Sequence, residues 1–363
     1  MSDFFSSAMD IDKFTAGPNI TIVEAMQKID KNSKGILYIV DENGKLCGSL
    51  TDGDIRRRII KTGNLHDTAG QSMQRNVKYL LTGDSEKAQS VMADKKIRSI
   101  PIVDARFHIR EIKFKGQQEV AQEHKDALND TSVIVMAGGK GTRLYPYTKI
   151  LPKPLIPIGD IPILERILNR FYEYGVTDFY ITVNYKKEMI KSYFNEVNPP
   201  YNIHFVEETK PLGTAGSIRL IKQNFRKPVF VTNCDILIEA EYDKILKYHT
   251  ESRDDMTVVS SLRNEVIQYG VLHSKEDGVI TSMEEKPHFS YFINTGMYVV
   301  NPEYLKEIPE DTFFHMPQLA EKLMNEGCRV GMYPISENSY LDMGQFEEMK
   351  KMEKRIQEQE SDQ

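Results

Sequence analysis

The run Val133-Ile-Val-Met-Ala-Gly-Gly-Lys-Gly-Thr-Arg-Leu144 sets apolar residues ahead of a cluster of glycines and cations, and Leu151-Pro-Lys-Pro154 follows shortly after. Glycines at 138, 139 and 141 let a backbone turn tightly and bring its N–H groups close to phosphate oxygens, while Arg143 and Lys153 add positive charge beyond the loop. This is the equipment of phosphate chemistry. Two common templates do not fit it. The phosphate loop of ATPases needs Ser or Thr after Gly-Lys, where Gly141 stands, and the dinucleotide fingerprint needs a small residue where Leu144 stands.

The two-part motif, Gly138-Gly-Lys-Gly-Thr-Arg-Leu144 and Leu151-Pro-Lys-Pro154, closely resembles the signature of the sugar-1-phosphate nucleotidylyltransferases. The resemblance implies that Ala137, Gly138, Gly139, Gly141 and Thr142 meet the nucleotide. It also implies that Arg143 stabilises the departing pyrophosphate and that Lys153 aligns the substrates. Asp235 closes the strand-like run Pro228-Val-Phe-Val-Thr232 followed by Asn233-Cys-Asp235, where a carboxylate can hold a hard cation; alone, such an Asp is as readily a helix cap. In the family a second carboxylate comes from a late Asp-x-Gly segment, matched by Asp342 in Tyr340-Leu-Asp-Met-Gly344, and the pair implies Mg²⁺ as cofactor. Gln345 stands where the family often has Thr. Tyr269-Gly-Val271, Glu284-Glu-Lys-Pro287 and Ile293-Asn-Thr-Gly296 resemble the sugar-phosphate segments. By that likeness Gly270 and Glu285 meet the sugar, Lys286 holds its phosphate and Asn294 adds a hydrogen bond. In isolation, a Glu-Glu-Lys run is an ordinary solvated face.

Glu207-Glu-Thr-Lys-Pro-Leu-Gly-Thr-Ala-Gly216 resembles the base-contacting loop of the family, with Gly213 and Thr214 at the nucleotide. Thymidylyl and uridylyl members commonly carry Gln where Glu208 stands. A carboxylate only accepts hydrogen bonds, and guanine offers two adjacent donors where uracil and thymine offer one donor between acceptors, so Glu208 favours GTP. Backbone reading of the base, and with it a pyrimidine triphosphate, stays open.

These residues need a scaffold that gathers them. Val133–Met136, Asp178–Val183, Ile203–Val206 and Pro228–Thr232 read as strands; Ile161–Phe171, Glu188–Phe194 and Thr214–Gln223 read as helices. The alternation predicts an α/β fold with an open, mostly parallel sheet, Rossmann-like or GT-A-like by the family resemblance, whose ligands sit at the carboxyl ends of its strands. The catalytic domain is expected over 132–347, with a charged helical tail at 348–363 that frays while Met349 and Met352 pack on the domain.

The first third differs. Pro18–Gly63 and Met73–Phe114 read as two degenerate copies of a unit built of an amphipathic helix, a strand and a hairpin. They resemble paired cystathionine-β-synthase-type (CBS) modules, an α+β domain over 1–116, joined by a polar linker at 117–131. In Gly48-Ser-Leu-Thr-Asp-Gly-Asp54, Thr51 and Asp54 match the pattern that contacts the ribose of an adenine nucleotide, and they also make a helix cap. The second copy lacks the pattern, so one adenine-nucleotide site or a purely dimerising pair is expected.

The chain has 363 residues, a net charge of −6 that gives no footprint for nucleic acid, and three scattered cysteines that suit a reducing cytoplasm. No apolar run approaches the ~20 residues of a membrane span, and no secretory leader is read at the start. The partners expected are a nucleoside triphosphate, a sugar-1-phosphate and a second copy of the chain. The domain order resembles bacterial guanylyltransferases that activate aminosugar-1-phosphates for surface-glycan or legionaminic-acid-type synthesis, which makes glucosamine-1-phosphate the first sugar to try. The rivals are a thymidylyl- or uridylyltransferase on a hexose-1-phosphate, and a non-catalytic adenine-nucleotide sensor.

Overall fold

The computed structural model describes residues 10–32, 34–116, 124–344 and 346–361. The chain divides into two compact units, Met1–Gln122 and Glu123–Gln363.

The second unit is built on a seven-stranded sheet: β1 (Ser132–Ala137), β2 (Asp178–Val183), β3 (Asn202–Glu207), β4 (Val229–Asn233), β5 (Met256–Val266), β6 (His288–Val300) and β7 (Val330–Ile335). The order is β3-β2-β1-β4-β6-β5-β7, and only β6 runs against its neighbours, so the sheet is mostly parallel as the alternation predicts. The continuous apolar run of β1 has a physical reason. Val133 and Val135 face one core while Ile134 and Met136 face another, because both sides of the sheet are covered. The first core is closed by α1 (Ile163–Tyr172), α2 (Lys187–Val197) and α3 (Tyr242–Ser252), the second by α4 (Met316–Asn325). In α1, Ile163, Leu164, Ile167, Leu168 and Phe171 make one buried stripe.

Register fixes the working edge. Val183 lies beside Ala137 and Asn233 beside Met136, so the carboxyl ends of β1, β2 and β4 finish level and their loops converge. Beyond a bulge at Val259/Ser260, β5 and β6 continue as an antiparallel arm that ends in an exposed hairpin, Val271–Ser274 paired with Ile280–Glu284.

Three expectations need correction. The helix read at 214–223 is only a short 3₁₀ turn, Gly216–Leu220, followed by an irregular stretch. Its first donors are taken by tertiary partners: the N–H groups of Ala215 and Gly216 go to the Phe314 carbonyl and that of Thr214 to His315 Nδ1, leaving no helix to nucleate. The last helix, α5 (Phe346–Ser361), starts two residues before the tail read at 348–363; Met349 and Met352 pack on the domain as expected, and Ile356 joins them in the first core. The linker also ends early, because His124 and Leu128 are buried and Leu128 N–H bonds the Tyr174 carbonyl. Gln345 lies outside the described residues.

The first unit contains the repeat. Ile22–Asn32 is a helix followed by strands Ile36–Val40 and Leu46–Thr51; Ala88–Lys95 is followed by Ser99–Val103 and Ile109–Phe114. Each copy makes a three-stranded sheet, and each hairpin is irregular at the same place, between Ile39 and Val40 and between Ile102 and Val103. Among the described residues no helix is long and apolar enough to cross a membrane.

Candidate active site

The loop after β1 is held by its neighbours rather than by its own composition. Thr148, fully buried, donates from Oγ1 to the Gly141 carbonyl at 2.8 Å. From the end of β2, Tyr185 OH reaches the Thr148 carbonyl at 3.2 Å, and Lys186 Nζ reaches the carbonyls of Lys149 and Ile150, both at 2.5 Å. Gly141 turns at φ +66°, a left-handed conformation that places the 3₁₀ turn Thr142–Leu144. Gly139, Thr142 and Arg143 are exposed beside it, and Ala137 is buried at the strand end.

Gly138 has a steric reason. A Cβ there would lie 2.4 Å from Glu208 Oε1, so the Glu208 carboxylate is packed directly on this glycine. Glu208 follows β3, is 7% exposed and accepts from the Leu212 N–H at 3.4 Å. Burial pushes its carboxyl up from the ordinary range, and the Leu212 N–H offsets this in part. Gly213 turns against the Phe314 carbonyl. Thr214, read as a nucleotide contact, is held at the start of α4: its Oγ1 meets His315 Nδ1 at 3.2 Å and accepts from Met316 N–H at 3.1 Å.

The acidic part lies at the end of β4. Strands Ile236–Ile238 and Tyr340–Asp342 pair antiparallel, with Ile236 opposite Asp342 and Met343 N–H bonded to the Asp235 carbonyl at 2.8 Å. This short ladder brings together two carboxylates more than a hundred residues apart. Lys153 Nζ is ion-paired with Asp235 Oδ2, both residues being buried. Asp342 accepts the Gly344 N–H at 2.7 Å. Its carboxyl is raised by burial and by the Asp235 charge, and Lys153 and Arg143 offset this only in part. Asp235 also helps to push the buried Cys234 thiol up to about 12, behind burial itself. Asp342 stands beside the Asp235–Lys153 pair without an ion-pair partner of its own among the described residues, and the two carboxylates, as hard oxygen donors, suit Mg²⁺. Among the described residues no cluster of three or more ligating side chains forms, so phosphate oxygens and water would complete such a coordination shell.

The sugar segments are less gathered. Gly270 and Glu285 adjoin, since a Cβ on Gly270 would lie 3.0 Å from Glu285 Oε2. Asn294, in β6, donates to Tyr298 OH at 2.8 Å and accepts from the Gly296 N–H at 2.9 Å, while the Asn233 amide rests against Gly296. Lys286 stands on the exposed hairpin with φ +48°, and no ion pair or hydrogen bond among the described residues ties it to Asp235 or Asp342. Sequence reasoning missed Thr148, Tyr185, Lys186 and Asn233. Of these only Asn233 carried a signal, its place beside Cys234 and Asp235 at the strand end.

In the first unit, Thr51 caps the helix Asp52–Thr62. Asp54 accepts from Thr51 N–H at 2.9 Å, Thr51 Oγ1 at 2.6 Å, Gln74 Nε2 at 2.9 Å and Arg57 at 2.6 Å. Burial raises the Asp54 carboxyl, and these bonds outweigh it and hold it below the ordinary range. The two residues read as ribose contacts are turned on one another.

The family profile described as nucleotidyl transferase matches residues 132–359, and a CBS domain profile matches residues 3–61. A mannose-1-phosphate guanyltransferase of Emericella nidulans is 35% identical over 184 residues, 48% of this chain and 50% of that protein. One from Yarrowia lipolytica is 32% identical over 228 residues, 58% of this chain and 60% of that protein. The chain thus spans about half the length of the relatives it matches. Among solved structures, HddC from Yersinia pseudotuberculosis aligns at a TM-score of 0.49 and 24% identity, over 62% of this chain and 99% of that one. With its profile match running through β1, β4 and the strand of Asp342, the chain belongs to the nucleotidyl transferase family and carries a CBS domain at its amino end.

Proposed function

We propose that the chain transfers a guanylyl group from GTP to a sugar-1-phosphate, giving a nucleotide sugar and pyrophosphate. One observation supports this: the Glu208 carboxylate packs on Gly138 at the same strand edge where Lys153 is paired with Asp235 and Asp342 ends the strand paired with Ile236–Ile238. In this reading Glu208 meets the base, the loop at 138–143 the phosphates, and Lys153 with Asp235 and Asp342 the reacting centre.

In the proposed reaction an oxygen of the sugar-1-phosphate attacks the α-phosphorus in line. A new P–O bond forms as the bond to the β-phosphate bridging oxygen breaks, and the electron pair leaves with pyrophosphate. The protein's part is positioning and charge neutralisation. Loop amides at 138–142 and Arg143 hold the triphosphate, and Lys153 neutralises charge between Asp235 and the phosphates. Mg²⁺, when held by Asp235 and Asp342, supplies further neutralisation of the triphosphate. Lys286 reaches the sugar phosphate only if its hairpin approaches the edge. Guanine is supported by Glu208 and by the names of the relatives, which also make mannose-1-phosphate a second sugar to try beside glucosamine-1-phosphate. A cytoplasmic, dimeric enzyme supplying surface-glycan or nonulosonic-acid synthesis is the setting this reading favours.

The test is pyrophosphate release with Mg²⁺ over GTP, UTP, dTTP, CTP and ATP against glucosamine-, N-acetylglucosamine-, mannose- and glucose-1-phosphate. Release confined to GTP with one sugar is expected. Release with a pyrimidine triphosphate would overturn the base assignment, and silence throughout, with or without AMP, would favour the sensor or a sugar outside this set.

A further inference from the structure

The end of the sheet opposite the candidate active site carries a second concavity. It is a cavity of about 410 Å³ lined by the 3₁₀ turn and the irregular stretch before β4, residues 218–226, and by residues 302–306 after β6. Because β4 runs from Val229 toward Asp235 and β6 runs against it, both lining segments lie at the amino edge of the parallel strands. At ~3.3 Å per residue, the length of β4 separates this cavity from Asp235 by ~20 Å.

Its chemistry is two-sided. Ile218, Ile221, Phe225 and Leu305 make an apolar floor, and Phe225 is braced edge-on by the Tyr180 ring at 5.1 Å. Around it stand Arg219, Lys222, Arg226 and Lys306, with Glu303 as the acidic group of the lining. Arg219 is ion-paired with Glu310 through Nη2, yet its Nε is buried without a hydrogen-bond partner. Lys222, Arg226 and Lys306 take no ion pair or hydrogen bond among the described residues. The volume falls in the range of small-molecule sites, and an excess of unpaired cations over an apolar floor calls for an anion with an organic body.

We propose that this cavity binds a phosphate-bearing small organic molecule, with its phosphate on Lys222, Arg226 and Lys306 and its apolar or planar part on Phe225 and Leu305.

Calorimetric titration of the full chain with GDP, mannose-1-phosphate and inorganic pyrophosphate tests this, wild type beside the double variant Lys222→Gln/Arg226→Gln. Both side chains are exposed and stand outside the candidate active site, and Lys306→Gln serves as a second variant should the double one melt early. At least one organic probe is expected to show two sites per chain in the wild type, with the second weakened about tenfold or more in the variants, as loss of a charge-assisted hydrogen bond implies. GDP as that probe identifies a nucleotide, and mannose-1-phosphate alone a sugar phosphate. A second site for pyrophosphate only would overturn the organic part of the assignment, and equal stoichiometry and affinity in wild type and variants would overturn all of it. Stoichiometry is read without turnover, so this result is separate from the fate of the guanylyl-transfer reading.

Discussion

Asp54, buried in the first unit, and Asp342, half-buried in the second, have opposite surroundings. Asp54 is answered on every side by Thr51, Gln74 and Arg57, and these bonds hold its carboxyl below the ordinary range. Asp342 lies against a second carboxylate, with one backbone N–H and a shared, partial claim on Lys153 and Arg143, and its carboxyl is raised. A carboxylate whose lone pairs are all met locally is doing structural work. One beside a like charge keeps an unfavourable interaction that a bound cation would relieve, and that is where function is to be sought.

The sharpest way to break this contrast is to neutralise the crowded acid. Asp342→Asn is expected to cut turnover by about 10²- to 10³-fold, as loss of a main electrostatic stabiliser does, while melting at the same temperature or higher without metal. Lys153→Met should lower turnover by about 10²-fold and, unlike Asp342→Asn, lower stability by about 3 kcal/mol, because it leaves Asp235 and Asp342 uncompensated. Denaturant melts of both variants separate the two cases. Asp54→Asn should cost about 1–2 kcal/mol through loss of the capping box and its bonds to Gln74 and Arg57.

Proton linkage should give the two acids opposite slopes. Asp54 has a lowered folded pKa, so its contribution is complete above the unfolded value and is lost as pH falls through the folded one. Asp342 has a raised folded pKa, so its penalty is present above that value and is relieved as pH falls through it. The stability gap between wild type and Asp342→Asn should therefore narrow with acidification, as should that for Asp54→Asn, but with the wild type on opposite sides. Melting curves of the three proteins across the carboxylate range check this. The smallest effect concerns the base: Glu208→Gln should shift preference from GTP toward UTP and dTTP by about tenfold in kcat/KM, and an unchanged preference would mean that backbone groups read the base.

The central sheet could be read in the sequence because β1, β2 and β4 are short runs rich in apolar and β-branched residues between loops, the mark of strands covered on both faces. The helix expected at 214–223 could not be excluded in the same way, because its failure depends on Phe314 and His315, about a hundred residues later, which take the donors that would have started it. Glu208 and Asp235 were legible as chemistry through their motifs, but their neighbours were not. The contact of Glu208 with Gly138 and the hold of Lys186 on Lys149 and Ile150 arise from strand register, which a local pattern does not encode. For Thr51 and Asp54 the sequence allowed a cap or a ribose site, and only the placement of Gln74 and Arg57 shows how fully the carboxylate is met.

The most direct measurement is Mg²⁺-dependent pyrophosphate release from GTP and a sugar-1-phosphate by wild type and Asp342→Asn, with a thermal melt of each in the same buffer without metal. Turnover lost from a variant that melts no lower than wild type is the expected result, and a variant that keeps the wild-type rate, or loses it only by unfolding, would contradict the reading of this edge as the site of transfer.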